Sequence, residues 1–256
     1  MTEFLTRGDG LIWLIVLIGP LLLVQRRLHF ELQAVFLLIT RRPGLALGLF
    51  SLLFLPGVLI HETSHYLMAR LLGVSTGRFS LLPQLLPNGK LQLGFVETAQ
   101  SDFLRDALIG LAPLITGGLA IAFLGLDRLG LAPLATAFSA ADWPLFWKLL
   151  GGLPAQPDFW MWFYLAFAIS TTMLPSESDR RAWLPLGLTL LGLLGLSLLA
   201  GAGPWMLENM APWLNRGLRA LSAVFGISLG IHAVLWVPFR LLREVICRVT
   251  GYRLSA

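Results

Sequence analysis

Charge is what this 256-residue chain has least of: 13% of its residues are Asp, Glu, Lys or Arg, against 56% hydrophobic. The mean hydropathy of +0.76 and that shortage of charge exclude an ordinary soluble domain, about a quarter of which is charged. Cysteine is nearly absent too. Cys247 stands alone, which excludes an internal disulfide and a cysteine-based zinc site. No repeat, low-complexity tract or hydrophilic linker breaks the chain, so nothing marks an appended soluble domain. The formal net charge of +5 comes from arginines beside apolar runs, where they set membrane topology rather than bind nucleic acid. The expected surroundings are a lipid bilayer, and no nucleic-acid partner is expected.

What is present is a series of apolar runs approaching the ~20 residues that a spanning helix needs. They predict an all-α, multi-pass integral membrane protein folding as one domain, 1–256, with about six transmembrane helices. The first run, Leu11 to Gln25, has only Arg7 as a positive residue before it. No small-residue cleavage pattern precedes Arg26 and Arg27, so it reads as a retained anchor. Leu28 to Thr40, bracketed by arginine pairs, is too short to cross and predicts an interfacial helix, with His29 and Glu31 solvated at headgroup level. The second span is Leu45 to Leu72, roughly 42 Å as one helix, so it must tilt or protrude. Pro56-Gly57 either kinks it or is simply tolerated.

Gly73 to Gln100 is not a span. Asn88-Gly89 is a hairpin signal, and the alternation of Leu91, Leu93 and Phe95 with Gln92 and Gly94 predicts a short membrane-associated β-hairpin. Its arms are Phe79–Leu86 and Leu91–Thr98. It would either offer an edge to an extended peptide or serve as a linker lying on the bilayer. The third span, Leu104 to Leu126, is dense in small residues that let another helix come close. The stretch to Asp158 is expected to be interfacial, with Trp143, Phe146 and Trp147 at headgroup level. Phe159–Leu174, Trp183–Leu199 and Leu218–Val237 complete the six. His232, in the last, reads as a hydrogen-bonded interior histidine.

The chemistry is concentrated in the second span. His61, Glu62 and His65 form HExxH in a run that is otherwise almost wholly apolar, and Leu45 to Ile60 carries no charge. Residues i and i+4 share a helix face, so both imidazoles can reach one metal ion, with Glu62 beside it as general base. The plain structural alternative is a pair of helix histidines bonded to neighbours. It would also have to account for two imidazoles and a carboxylate at membrane depth, where such groups are expensive. Counting spans puts the C-terminal ends of the second and fourth on one side, so Asp179 can approach His61 and His65, with Glu177 as the competing carboxylate. Placing that side in the cytoplasm puts 11 of the 19 Lys and Arg inside, which the positive-inside rule prefers.

These pieces resemble the site-2 protease family of intramembrane zinc metalloproteases over roughly 42–185, leaving 1–41 as an anchor and interfacial helix and 186–256 as C-terminal helices. The resemblance rests on four ordered features: HExxH at His61 to His65; Gly73-Val74 leading to Phe79-Ser80 and β-structure; Gly110 to Thr116, similar to the family's AGPLxN; and a proline-containing turn ending in Asp179. It implies Zn²⁺ held by His61, His65 and Asp179, catalysis through Glu62, and a membrane-embedded or juxtamembrane peptide as substrate. Thr116 and Thr171 stand where the family carries Asn, Ser178 where it carries Leu, and Arg180 where it carries Gly. With Leu93 and Phe95 of the ribbon, Thr116 and Thr171 are the candidate substrate-contacting residues. No inserted PDZ domain is present. The expected function is therefore an intramembrane zinc metalloprotease. The competing expectation is a catalytically inactive relative serving as a structural or scaffolding membrane subunit. The oligomeric state is left open.

Overall fold

A computed structural model describes the backbone of residues 2–85 and 91–252, and the side chains of residues 9–84 and 91–252. Helix α1 runs from Thr2 to Thr40 without a break and α2 from Pro43 to Leu71. A small β-ribbon follows, then α3 at Phe103–Phe123, which continues into a π-helical turn at Leu124–Arg128. Two short helices, α4 at Leu131–Ser139 and α5 at Trp143–Gly152, lead to α6 at Phe159–Thr172. Helices α7 at Trp183–Leu199, α8 at Gly203–Asn209 and α9 at Ala211–Thr250 complete the chain.

Four of these, α1, α2, α3 with its π-helical turn, and α9, are long and apolar enough to cross a membrane. A fifth span results if α7 and α8, bent by 116° at their junction, count as one. Helix α6 has 14 residues, roughly 21 Å at 1.5 Å per residue, short of the ~30 Å hydrocarbon core. The core lies where α1, α2, α3, α6 and α9 meet, around Leu21, Phe54, Ile121, Phe167 and Phe225. In contrast, α7 buries none of its residues.

Three expectations are corrected. Leu28 to Thr40 is not a separate interfacial helix. It continues α1, and its Leu28, Leu32 and Val35 are in the core. Glu31 is not solvated. It is buried and ion-paired with Arg243 of α9, while His29 packs edge-on against Phe50. Most consequentially, α1 and α9 run in the same direction. The Gly10 amide donates to Asn215 Oδ1, Ser222 donates to the Gly10 carbonyl, and Glu31 meets Arg243, at sequence separations of 205, 212 and 212. Six alternating crossings would make the first and last helices antiparallel. Arg41, between α1 and α2, lies over the Tyr252 ring just past α9. Arg240, Arg243 and Arg248 therefore trail toward the α1–α2 junction, not toward the HExxH end, and the charge bias of eleven against eight no longer stands.

Helix α2 ends on a Schellman motif. The Gly73 amide donates to Arg70 O and the Val74 amide to Ala69 O, with Gly73 at φ +71°; glycine alone adopts that φ without a Cβ clash. The reversed chain enters the ribbon, where β1 (Thr76–Ser80) pairs antiparallel with β4 (Phe95–Thr98). Beyond them β2 (Gln84–Leu85) pairs with β3 (Leu91–Gln92). The expected hairpin thus starts three residues earlier than Phe79 and is split into two pairs, with Pro83, which has no N–H for a ladder, in the gap. Asn88-Gly89 lies outside the described residues.

Candidate metal centre

His61 and His65 project from successive turns of α2, as i,i+4 spacing requires. Their partner sits in the turn between α6 and α7. His61 Nε2 is 3.1 Å from His65 Nε2. Asp179 places Oδ1 at 3.3 Å from His65 Nε2 and Oδ2 at 3.7 Å from His61 Nε2. One ligand atom from each residue lies within 4.8 Å of the other two.

The rings are locked from behind. His61 Nδ1 is 2.6 Å from the Thr172 carbonyl and His65 Nδ1 is 2.8 Å from the Ile109 carbonyl. A carbonyl oxygen only accepts, so each Nδ1 carries the proton. In the neutral rings both Nε2 atoms then present lone pairs to each other and to the carboxylate. Four electron-rich atoms facing one point repel one another unless a metal ion lies between them or one Nε2 takes up a proton. The ring-to-carbonyl bond is also the arrangement that orients metal-ligating histidines generally.

Spacing is compatible with an ion. Ligands ~2.0–2.1 Å from a tetrahedral zinc lie about 3.3 Å apart; the two Nε2 atoms are 3.1 Å apart, and each has a different Asp179 oxygen beside it, at 3.3 Å from His65 and 3.7 Å from His61. Two imidazoles and a carboxylate are also a donor set that suits Zn²⁺ and leaves a fourth position for water. The residues fit the ion.

Asp179 is held by its own turn. The Ser176 amide donates to Asp179 Oδ2 at 2.7 Å, and the Asp179 amide donates to Ser176 Oγ at 3.3 Å. Close approach is permitted by Gly110 of α3, where a Cβ would overlap the Asp179 carbonyl oxygen. Gly57 does the same between α2 and α6, where a Cβ would overlap the Ala168 carbonyl.

Glu62 is buried beside the pair, and the ribbon passes over it. A Cβ on Gly94 would stand 2.9 Å from Glu62 Cγ and 2.8 Å from Val58 Cγ1. Leu93 and Phe95 therefore flank the contact with Glu62, both half-buried. The two threonines lie elsewhere. Thr116 is exposed and bonds back to the Ala112 carbonyl of its own helix. Thr171 is buried, its hydroxyl 3.1 Å from His232 Nε2, on the side of α6 that faces α9. His232 is fully buried, with Nδ1 2.7 Å from the Ser228 carbonyl, an interior hydrogen-bonded histidine as expected.

The carbonyls of Ile109 and Thr172 were not foreseeable from sequence, because every residue carries one. The spacing glycines 57, 94 and 110 left only the general signal of small residues in apolar helices. Comparison of the chain with protein-family models, curated proteins and solved structures gives no match.

Proposed function

We propose that this chain is a multi-pass integral membrane zinc metalloprotease that hydrolyses peptide bonds in membrane-embedded or juxtamembrane segments, a reading in line with its resemblance to the site-2 proteases. The observation that carries it is the convergence of His61, His65 and Asp179 with both imidazoles fixed in the Nδ1–H form. His61, His65 and Asp179 would hold the ion. When bound, Zn²⁺ acidifies water and polarises a carbonyl. Glu62 accepts a proton from the water as its oxygen adds to the scissile carbon, and returns a proton to the departing amine as the C–N bond breaks. The products are a carboxylate and an amine. The 93–95 segment, lying against Glu62, is the surface along which an extended substrate would pass. A substrate helix must unwind first, since its carbonyls are engaged along the axis.

The test is zinc content of the detergent-purified chain together with hydrolysis of membrane-peptide substrates. Near-stoichiometric zinc is expected in the native chain and in Glu62→Gln, and loss of zinc in His61→Ala and Asp179→Ala. Hydrolysis is expected in the native chain alone. A native chain without zinc, or zinc indifferent to Asp179, overturns the reading. Zinc held with no hydrolysis by the native chain moves the assignment to the scaffolding relative.

A further inference from the structure

The turn that ends α6 is held by side chains from two other helices, on adjacent carbonyls. The last carbonyls of any helix have no intrahelical donor. Here Thr172 O accepts from His61 Nδ1 of α2 at 2.6 Å, and Thr171 O accepts from Gln25 Nε2 of α1, also at 2.6 Å. Gln25 is buried, and its other amide atom, Oε1, has no hydrogen-bond partner. The only hydrogen bond of its side chain among the described residues is therefore the one to this helix end.

Thr171 O and Thr172 O are successive acceptors on the rim of one helix terminus, both at its negative end. His61 reads the second of them and Gln25 the first. We propose that Gln25 is a positioning residue for the metal centre: by holding Thr171 O it anchors the end of α6, and with it Thr172 O, the acceptor that keeps the His61 ring in place with Nε2 aimed at His65 and Asp179. The two carbonyls belong to successive planar peptides joined at the Cα of Thr172, and the helical turn there keeps them side by side. Without the amide, Thr171 O is a buried orphan acceptor. The end of α6 then shifts, Thr172 O moves with it, and His61 Nε2 turns away from the cluster. Helix α1, which contributes no ligand, thereby sets the geometry of the site. This inference rests on the metal reading.

The test uses cobalt(II) as a probe in the full chain in detergent, because its visible absorption reports ligand geometry independently of catalysis. Gln25→Leu keeps the length of the side chain and removes the donor. Ser170→Ala alters the same buried turn of α6, where Ser170 Oγ bonds to Phe167 O, without touching either carbonyl. The native chain and Ser170→Ala are expected to share one spectrum and affinity. Gln25→Leu is expected to bind cobalt about tenfold more weakly, within the range for outer partners of metal ligands, with a changed visible band at saturation. If Gln25→Leu does not fold, Gln25→Asn, whose amide is too short to reach Thr171 O, is read in the same way. A Gln25 variant with native affinity and spectrum, or equal changes in Ser170→Ala, overturns the positioning role alone. A native chain that binds no cobalt overturns the metal reading and this role with it.

Discussion

At the scale of single residues, the site depends as much on what is missing at Gly110 as on what Asp179 offers. A methyl group there overlaps the Asp179 carbonyl oxygen, so the turn must move out and take the carboxylate with it. Gly110→Ala is expected to weaken zinc binding 10- to 100-fold, the usual cost of disturbing a ligand's support, as read by competition with a chromophoric chelator; native affinity would show that the turn adjusts freely. HExxH and Asp179 were legible in the sequence because their chemistry lies in their side chains. Glu31 was misplaced because Leu28–Thr40 was judged by its own length between two arginine pairs, while its partner Arg243 lies 212 residues away. Removing one member of a buried pair strands the other. Glu31→Ala is therefore expected to destabilise the protein by roughly 3 kcal/mol, measured by unfolding in detergent, and a loss below about 1 kcal/mol would show that Arg243 finds water instead.

At the scale of elements, α2 and α3 were legible as the apolar runs Leu45–Leu72 and Leu104–Leu126, and they form helices at Pro43–Leu71 and Phe103–Phe123. Asp102 caps α3 by accepting from the Leu104 and Arg105 amides. The ribbon was legible by its alternation but not in its register, which depends on packing against α2. That packing puts Gly94 on Glu62 and Phe79 edge-on to Tyr66 at 6.3 Å. A larger side chain at 94 must lift the strand from α2. Gly94→Val is expected to abolish hydrolysis while leaving zinc content unchanged, because Glu62 is displaced and the three ligands are not. Loss of both together would show instead that the ribbon supports the ligands themselves. Helix α6 was foreseen as a span and is too short for one; its extent is set by what it packs against, which composition does not report.

At the scale of the whole molecule, the parallel course of α1 and α9 decides the topology. Under the membrane reading, α9 starts on the side where α2 ends, so the bent α7–α8 pair makes no net crossing between Asp179 and Ala211. Single cysteines at Ser101, Arg41 and Tyr252 in a Cys247→Ser background test this with an impermeant thiol reagent. The Arg41 and Tyr252 positions are expected to label from one face and Ser101 from the other. Labelling of the Ser101 and Tyr252 positions from one face would restore the six-span alternation. Local hydropathy could not have decided between the two arrangements, because direction is a property of pairs such as Gly10 with Asn215 and Glu31 with Arg243. The brevity of α6 has a consequence for the site itself. A longer helix would carry the chain past His61 and His65; because α6 stops at Thr172, its terminal carbonyl and the turn that bears Asp179 arrive at the two imidazoles from one direction.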